Sequence, residues 1–221
     1  MIETRDLTVV FGRTTAIDSL DLNINPGVTG LFGQNGSGKS TLLRVIAGLL
    51  RPTRGSLSLF GVPSNDVDEE FRRNIGYAGH QPGLYERLTI AENLEFFAQM
   101  YGVKRTRIPD VIHQLGLTEK AGARVDALSA GYSRRAAVAR ALLHEPGILL
   151  LDEPYANLDD DASALVSAAV KGWRETGTGD RLAIVATHGA KKVKAYADAG
   201  VILQRGRLVK QGAYRSDGVR V

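Results

Sequence analysis

The sequence predicts an α/β fold with a mostly parallel central sheet, an antiparallel β-subdomain and a helical subdomain. Two apolar runs, residues 147–151 and 182–187, have the pattern of strands buried on both faces of a parallel sheet. Residues 2–11 and 17–24 alternate in part between apolar and polar side chains, which predicts an antiparallel pair. A central stretch, residues 90–143, carries apolar side chains mostly at helical spacing. Strands that alternate with helices are typical of a mostly parallel sheet.

The composition is that of a globular protein. The chain has 221 residues, of which 43% are hydrophobic and 24% charged, so disorder is excluded. We predict a single domain over residues 1–221, with the helical subdomain inserted at roughly residues 84–145. The net charge of +4 comes from scattered basic residues and does not by itself distinguish nucleic acid, anionic lipid or nucleotide as the partner.

Two features that the sequence lacks reduce the number of protein classes to which the chain can belong. The sequence has no cysteine, which excludes disulfide bonds and thiolate metal sites. No run approaches the ~18–20 consecutive apolar residues that span a bilayer, and the first residues are not those of a secretion signal. We therefore expect that this chain does not cross a membrane itself.

Residues 33–40 fit the phosphate-binding loop pattern G-x-x-x-x-G-K-[ST] at every fixed position. An apolar strand precedes the pattern and an apolar-periodic helix follows it, as the chemistry requires. The glycines let the backbone bring N–H groups onto phosphate oxygens, and the helix points its positive end at the anion. Lys39 is expected to reach the β- and γ-phosphates, and the Ser40 hydroxyl to ligate Mg²⁺. The pattern predicts a P-loop NTPase, and a plain glycine-rich turn is the alternative.

The rest of the chain alternates between short strands and helices. Pro26 and Gly27 begin the strand that enters the phosphate loop. A capping box of Thr89 and Glu92 begins a helix that Gly102 ends. Further elements are predicted as strands at residues 56–61 and 74–78, helices at 108–115, 133–143 and 190–197, a helix capped by residues 159–161, and a hairpin at 201–209.

Three polar residues close the buried strands. Asp152 and Glu153 follow one apolar run, and His188 follows the other. Ligands of parallel sheets bind beyond the carboxyl ends of the strands, so these residues and the phosphate loop are expected to converge. Asp152 is a candidate for holding Mg²⁺ through a water, Glu153 for orienting or deprotonating the attacking water, and His188 for binding the γ-phosphate. The alternatives are a capped turn for the two acids and a structural role for the histidine.

Two further segments are less specific. Gln81, in a loop rich in glycine and proline, can supply a neutral oxygen to Mg²⁺ or to the water. Ser129 precedes a helix of small residues and arginines, where alone it is typical of a helix cap. Beside a phosphate loop the same segment is a second anion site, with the Ser129 hydroxyl and the Gly131 N–H as donors. Because one nucleotide does not need both cradles, two copies arranged head to tail could enclose two nucleotides.

Together these motifs resemble an ATP-binding cassette (ABC) ATPase, the motor subunit of ABC transporters, over nearly the whole chain. The matching segments are residues 33–40 with Thr41 as Walker A, Gln81 as the Q-loop glutamine, residues 128–132 as the signature, residues 148–152 as Walker B with Glu153 as its catalytic glutamate, residues 156–159 as the D-loop, and His188 as the switch histidine. Phe11 stands where this family places an aromatic residue that stacks on adenine, and a core strand residue is the alternative.

The resemblance implies ATP and Mg²⁺ as cofactors. It implies catalytic roles for Glu153, His188 and Gln81, and it implies that Ser40, Gln81 and Asp152 hold the metal. The residues implied to contact nucleotide are Phe11, Gly33, Asn35, Gly36, Ser37, Gly38, Lys39, Ser40, Thr41, Ser129, Gly131 and Asp159.

The resemblance also implies partners. A second copy is expected to close its Ser129 segment against the Lys39 site when ATP binds, and hydrolysis is expected to separate the copies. Integral membrane transporter subunits are expected to dock near Gln81 and the helical block, which puts the chain at the cytoplasmic face of the cell membrane as a peripheral protein. The family signature commonly reads Leu-Ser-Gly-Gly-Gln, so Ala130 and Tyr132 are departures. Ser129 and Gly131 are kept, and hydrolysis is therefore still expected.

The transported cargo is less clearly indicated. Residues 79–83, 88–94 and 128–131, with Arg134 and Arg135, resemble the haem-exporter ATPase of cytochrome c maturation. They are also similar to ATPases of the drug and polysaccharide exporter type, which is the alternative. A third alternative is a soluble ABC ATPase acting on nucleic acid. Those proteins carry long coiled coils, zinc modules or two cassettes in one chain, and this sequence has none of them, which argues against a nucleic-acid partner.

Overall fold

The computed structural model describes residues 1–177 and 180–213. The chain folds as two compact units, which we call the first unit, Met1–Arg72 with the chain from Leu182, and the second unit, Arg73–Arg181. The predicted domain over residues 1–221 includes residues 178–179 and 214–221, which lie outside the described residues. The inserted helical subdomain stays a prediction.

Strands and helices alternate along the described residues. The strands are β1 Ile2–Phe11, β2 Thr14–Ile24, β3 Gly27–Phe32, β4 Arg54–Leu59, β5 Val62–Pro63, β6 Ile75–Ala78, β7 Ile148–Asp152, β8 Leu182–Thr187, β9 Ala199–Gln204 and β10 Arg207–Ala213. The α-helices are α1 Lys39–Ile46, α2 Glu69–Arg73, α3 Ile90–Tyr101, α4 Arg107–Gln114, α5 Ala130–Leu142, α6 Asp160–Thr176 and α7 Ala190–Lys194.

An antiparallel sheet occupies one part of the first unit, in the order β2-β1-β4-β5. The predicted pairing of the first two strands is confirmed, with Ile2 opposite Ile24. Alternate side chains of β1 and β2, such as Leu7, Ile17 and Leu20, are fully buried. The partial alternation of the sequence therefore marks the face of this sheet that packs into the core.

The other strands of the first unit position its candidate site. β3 pairs in parallel with β8 on one side and with β9 on the other, and β10 pairs antiparallel with β9. In the register of β3 and β8, Phe32 lies opposite Thr187. Because both strands end at this position, the phosphate loop and His188 leave the same edge of the sheet from neighbouring strands.

The second unit is built around α5. Its strands β6 and β7 are parallel, with Ala78 opposite Leu151, and every residue of β7 is buried. Helix α5 packs against both strands and against α3, α4 and α6. Four alanines and Leu142 of α5 are buried with Val138, as expected for a helix covered on several sides.

Several predicted boundaries differ from the structure, and three of the differences have a structural reason. β4 begins at Arg54, inside a predicted loop, because pairing with β1 continues to this residue and Gly55 leaves room for the passing β1 backbone. α5 begins at Ala130 rather than Ser133 because the Ser129 hydroxyl caps it. α7 ends at Lys194 rather than at residue 197, and the Asp198 carboxylate then accepts a hydrogen bond from the Val28 N–H at 2.7 Å. β5 and α2 were not predicted.

Candidate functional site

The phosphate loop of the first unit joins β3 to α1, and its glycines are required by geometry. Gly36 and Gly38 have φ angles of 77° and 104°, which side chains rarely adopt. A Cβ atom at Gly38 would lie 2.6 Å from the carbonyl oxygen of Ala16, and one at Gly33 would collide with the carbonyl oxygen of Leu203. The loop is therefore packed against neighbouring backbone on one side.

Lys39 is buried beneath this loop, with 6% of its surface exposed. Its ammonium donates hydrogen bonds to the carbonyl oxygens of Gly33 at 2.8 Å and Gln34 at 3.1 Å. The residue before α1 is Gly38, which offers no side-chain cap to the first N–H groups of the helix. A positive helix end and an ammonium group therefore lie together, which fits an anionic ligand.

The remaining loop residues differ in exposure. Asn35 and Ser40 are exposed and Thr41 is half-buried, whereas Ser37 is 4% exposed. Among the described residues the Ser37 hydroxyl has no hydrogen-bond partner. The Ser37 carbonyl accepts a hydrogen bond from the N–H of Gly206, in the β9–β10 turn, at 3.0 Å. The sequence predicted this turn but not its contact with the phosphate loop, because the residues that indicate a hairpin do not indicate what the turn contacts.

His188 and Phe11 are the other predicted site residues of the first unit. His188 directly follows β8 and is exposed, so it lies at the strand end next to the phosphate loop. Phe11 ends β1 and is 47% exposed. The alternative that Phe11 is a core residue is therefore wrong, and its ring is available to a flat ligand.

The second unit brings together Gln81, Asp152 and Glu153. β6 and β7 end side by side, and Gln81 follows the first strand by three residues while Asp152 ends the second. Asp152 is 1% exposed. Glu153 has a φ of 49°, an uncommon left-handed conformation for a residue with a side chain. Such strained positions concentrate at functional sites.

Arg134 of α5 links these two strand ends, and sequence reasoning missed it. Its guanidinium donates to the carbonyl oxygens of Gly79 at 2.8 Å, His80 at 3.0 Å and Asp152 at 3.5 Å. Burial lowers the pKa of Arg134, and the negative charges of Asp152 and Glu153 act in the opposite direction. The sequence did contain a signal. Most residues of α5 beyond its first turn are alanine, valine and leucine, so few of its positions face solvent, and an arginine among them is expected to bind groups inside the protein.

The signature segment lies at the start of α5. Ser129 is exposed, and its hydroxyl accepts a long hydrogen bond of 3.5 Å from the Tyr132 N–H. A Cβ atom on Gly131 would lie 2.9 Å from the Asn157 carbonyl oxygen, so the glycine allows the backbone at Asn157 to approach α5. Asp159 caps α6 by accepting from the Ala162 N–H at 2.7 Å.

A cavity of about 800 Å³ in the second unit is lined by several of these residues, including Gln81, Ala130, Ser133, Arg134 and Asn157. Gln81, the start of α5 and the loop that carries Asn157 therefore border one opening. Within residues 1–177 and 180–213, no helix has both the length and the apolar character to span a bilayer.

Comparison with known proteins identifies the family. The family model described as ABC transporter matches residues 17–156. The chain is 33% identical over 207 residues to the ABC transporter ATP-binding protein NatA of Bacillus subtilis, covering 91% of this chain and 83% of that protein. It is 32% identical over 217 residues to the bacitracin transport ATP-binding protein BcrA of Bacillus licheniformis, covering 96% and 69%.

Solved structures agree with the sequence relatives. The ATP-binding cassette MJ0796, solved as a dimer in a post-hydrolysis state bound to ADP and phosphate, matches with a TM-score of 0.87 at 26% identity. The match covers 98% of this chain and all of that chain. The predicted P-loop NTPase fold of the α/β class is thus confirmed. The chain belongs to the ABC transporter family, as an ABC ATPase cassette.

Proposed function

We propose that this chain is the ATP-hydrolysing subunit of an ABC exporter and that two copies close head to tail around two nucleotides. The observation that carries the proposal is the presence of two separate helix starts suited to phosphate. One is the start of α1, with Lys39 buried under the glycine loop. The other is the exposed Ser129 at the start of α5.

The residues fit MgATP. The glycine loop, Lys39 and the Ser37 hydroxyl, which has no hydrogen-bond partner in the described part of the chain, suit the phosphates of the nucleotide. The exposed ring of Phe11 suits adenine. Ser40, Gln81 and Asp152 supply a hydroxyl, an amide oxygen and a carboxylate, the oxygen ligands that Mg²⁺ prefers. When bound, the metal neutralises charge that develops on the phosphates.

Glu153 is the proposed base for hydrolysis. Its carboxylate accepts a proton from the attacking water while the oxygen of that water bonds to the γ-phosphorus and the bond to the leaving ADP breaks. His188 and Gln81 orient the phosphate and the water. The exposure of His188 beside the phosphate loop supports this assignment.

Dimer formation is supported by solved structures that are similar to this chain. Two structures of MJ0796 that match with TM-scores of 0.87 are both described as dimeric. In the arrangement we propose, Ser129 and Gly131 of one copy contact the phosphates bound by the other copy, and Asp159 contributes from the D-loop. Because both donors lie at a helix start, the contact gains from the positive end of α5.

We further propose that membrane subunits dock beside the Gln81 loop. An exposed apolar cluster supports this. Tyr85 is 51% exposed, Phe96 42% and Met100 46%, and the ring centroids of Tyr85 and Phe96 lie 5.0 Å apart. Large exposed apolar side chains that lie together are typical of interaction sites. Docking there would hold the chain at the cytoplasmic face of the membrane as a peripheral protein.

The names of the relatives favour drug-type export over haem. BcrA is a bacitracin transport protein, and a relative from Cupriavidus metallidurans, 30% identical, is a Nod factor export protein. Neither these proteins nor NatA carries a name that refers to haem. We therefore propose the exporter alternative as the transport class, and haem export stays a prediction.

Glu153→Gln tests the proposal directly. The amide cannot accept the proton, so we expect ATP to bind while hydrolysis falls on the order of 10²-fold or more. The uncleaved ATP should hold two copies together, and size-exclusion chromatography with light scattering in MgATP should detect a dimer. A variant that hydrolyses ATP at the wild-type rate would exclude Glu153 as the base. A variant that binds ATP and stays monomeric at every concentration would exclude the closed dimer.

A further inference from the structure

Arg134 occupies an unusual position for a cation. It is 7% exposed, and its hydrogen bonds reach main-chain carbonyls where β6 and β7 end. Gly79 and Asp152 are the next residues in register after Ala78 and Leu151, so the guanidinium bridges the carboxyl edge of β6 and β7. A third bond, to His80, continues into the loop that carries Gln81.

Arg135, the next residue of the same helix, makes a useful contrast. It is 8% exposed and also donates to two carbonyl oxygens, those of Leu115 at 2.6 Å and Gly116 at 2.7 Å. Leu115 and Gly116 directly follow α4, and none of the candidate site residues named above lies in this part of the chain. The two arginines therefore match in burial and in type of partner, and they differ in what their partners support.

We propose that Arg134 is a positioning residue that sets the separation of Gln81 and Glu153. Gln81 directly follows His80, and Glu153 directly follows Asp152. Each of the two functional residues is therefore joined by a peptide bond to a residue whose carbonyl Arg134 binds. The inference rests on the proposed function, in which Gln81 serves the metal and the water and Glu153 serves the water. Movement of either carbonyl would separate these two groups at the moment when both must reach one water.

The guanidinium is suited to this task in a way that an ammonium is not. Its planar fork presents donors in fixed directions and can reach several carbonyls at once. Lysine at this position keeps the charge near Asp152 and Glu153 and loses the fork. Arg134→Lys thus separates positioning from electrostatics, and Arg135→Lys is the matched control.

The experiment compares the full-length wild type, Arg134→Lys and Arg135→Lys by steady-state hydrolysis of ATP over a range of MgCl₂ concentrations. We expect kcat of Arg134→Lys to fall on the order of 10- to 100-fold, because small misplacements of reacting groups have effects of this size. Its KM for ATP should change little, since the nucleotide is held elsewhere. The MgCl₂ concentration for half-maximal activity should rise in Arg134→Lys and not in Arg135→Lys.

A second measurement does not depend on hydrolysis. Amide hydrogen exchange without nucleotide should be faster for residues 80–84 in Arg134→Lys than in the wild type and in Arg135→Lys. If the lysine variant does not fold, Arg134→Gln, which keeps two N–H donors, takes its place.

The outcomes separate this inference from the proposed function. A wild type without ATPase activity contradicts the proposed function, and the exchange measurement then decides whether Arg134 holds the loop. Equal losses of kcat in the two lysine variants, or unchanged exchange at residues 80–84, would overturn the positioning role.

Discussion

The two helices that begin at the proposed phosphate sites are built in opposite ways. α1 follows Gly38, and its first residue, Lys39, turns an ammonium into the loop that precedes it. α5 follows the exposed Ser129, and its first turn contains no charged residue. Its cations Arg134, Arg135 and Arg140 instead bind carbonyls of the second unit.

The difference shows which helix start places a cationic side chain beside its proposed phosphate site. At α1 the cation supplements the helix end, which suits a site that binds a triphosphate by itself. At α5 only a hydroxyl, N–H groups and the helix end are available, which suits a site that completes a complex already formed. The arginines of α5 thus bind main-chain carbonyls of the second unit, and Arg134 and Arg135, which are buried, present no cationic face to nucleic acid.

The largest effect is expected where the cation supplements the helix. Lys39→Ala removes the ammonium from the phosphate loop, and we expect ATP affinity and ATPase activity to fall on the order of 10²-fold or more. Equilibrium binding of a fluorescent ATP analogue and steady-state hydrolysis measure the two quantities. Retained nucleotide affinity would contradict the cradle assignment.

The control for this variant is a set of three lysines on α7. Lys191, Lys192 and Lys194 lie on a short helix that begins three residues after β8, and none of them is buried. Replacing all three with glutamine removes more charge than Lys39→Ala and should leave the ATPase rate unchanged. A large loss in the triple variant would place α7 in the site.

A smaller effect is expected at the start of α5. Ser129→Ala should leave ATP binding to a single copy unchanged and should slow turnover about tenfold, since a hydrogen bond to a charged group contributes about 1.5 kcal/mol or more. Thr89→Ala is the matched control, because Thr89 caps α3 by accepting from the Glu92 N–H at 3.1 Å. Each variant should lose about 1 kcal/mol of stability. Equal turnover in the two variants would mean that Ser129 serves only as a cap.

The last effect is on stability rather than on turnover, and it concerns a titrating group that lies half-buried beside α5. His144 stacks on Tyr101 with 4.1 Å between ring centroids. Burial lowers the pKa of His144 from 6.5 to about 4. The main chain of Ile75 acts in the opposite direction, and the Arg140 cation adds to the lowering. Because the unfolded chain binds the proton first, this contribution to stability is complete above pH 6.5 and is lost as pH falls towards 4.

Urea unfolding at several pH values between 4 and 7.5 tests this expectation, with His144→Phe as the comparison, since phenylalanine keeps the ring. The wild type should lose up to about 3 kcal/mol of unfolding free energy over this range beyond the loss in the variant. Identical pH dependence in the two proteins would show that the imidazole accepts its proton in the folded state as readily as in the unfolded one.

Much of the fold was predictable from local patterns. The buried runs of β7 and β8, the capping box at Thr89 and the glycine stop at Gly102 were all predicted, and the structure confirms them. These features depend on neighbours in the sequence, through side-chain periodicity and helix-end hydrogen bonds. The start of α5 was predicted three residues late, because Gly131 has low helix propensity and its contact with Asn157 lies far along the chain.

The sequence by itself determined the phosphate loop, the order of most strands and helices, and the chemical types of residue at the strand ends, because each of these depends on a short segment of the chain. Only the tertiary structure decided that Gly206 supports Ser37, that Phe11 is exposed, and that Arg134 bridges the ends of β6 and β7. An arginine in a helix can face solvent or carbonyl groups. Which of these it faces depends on the elements that surround the helix, and their arrangement is a property of the folded chain.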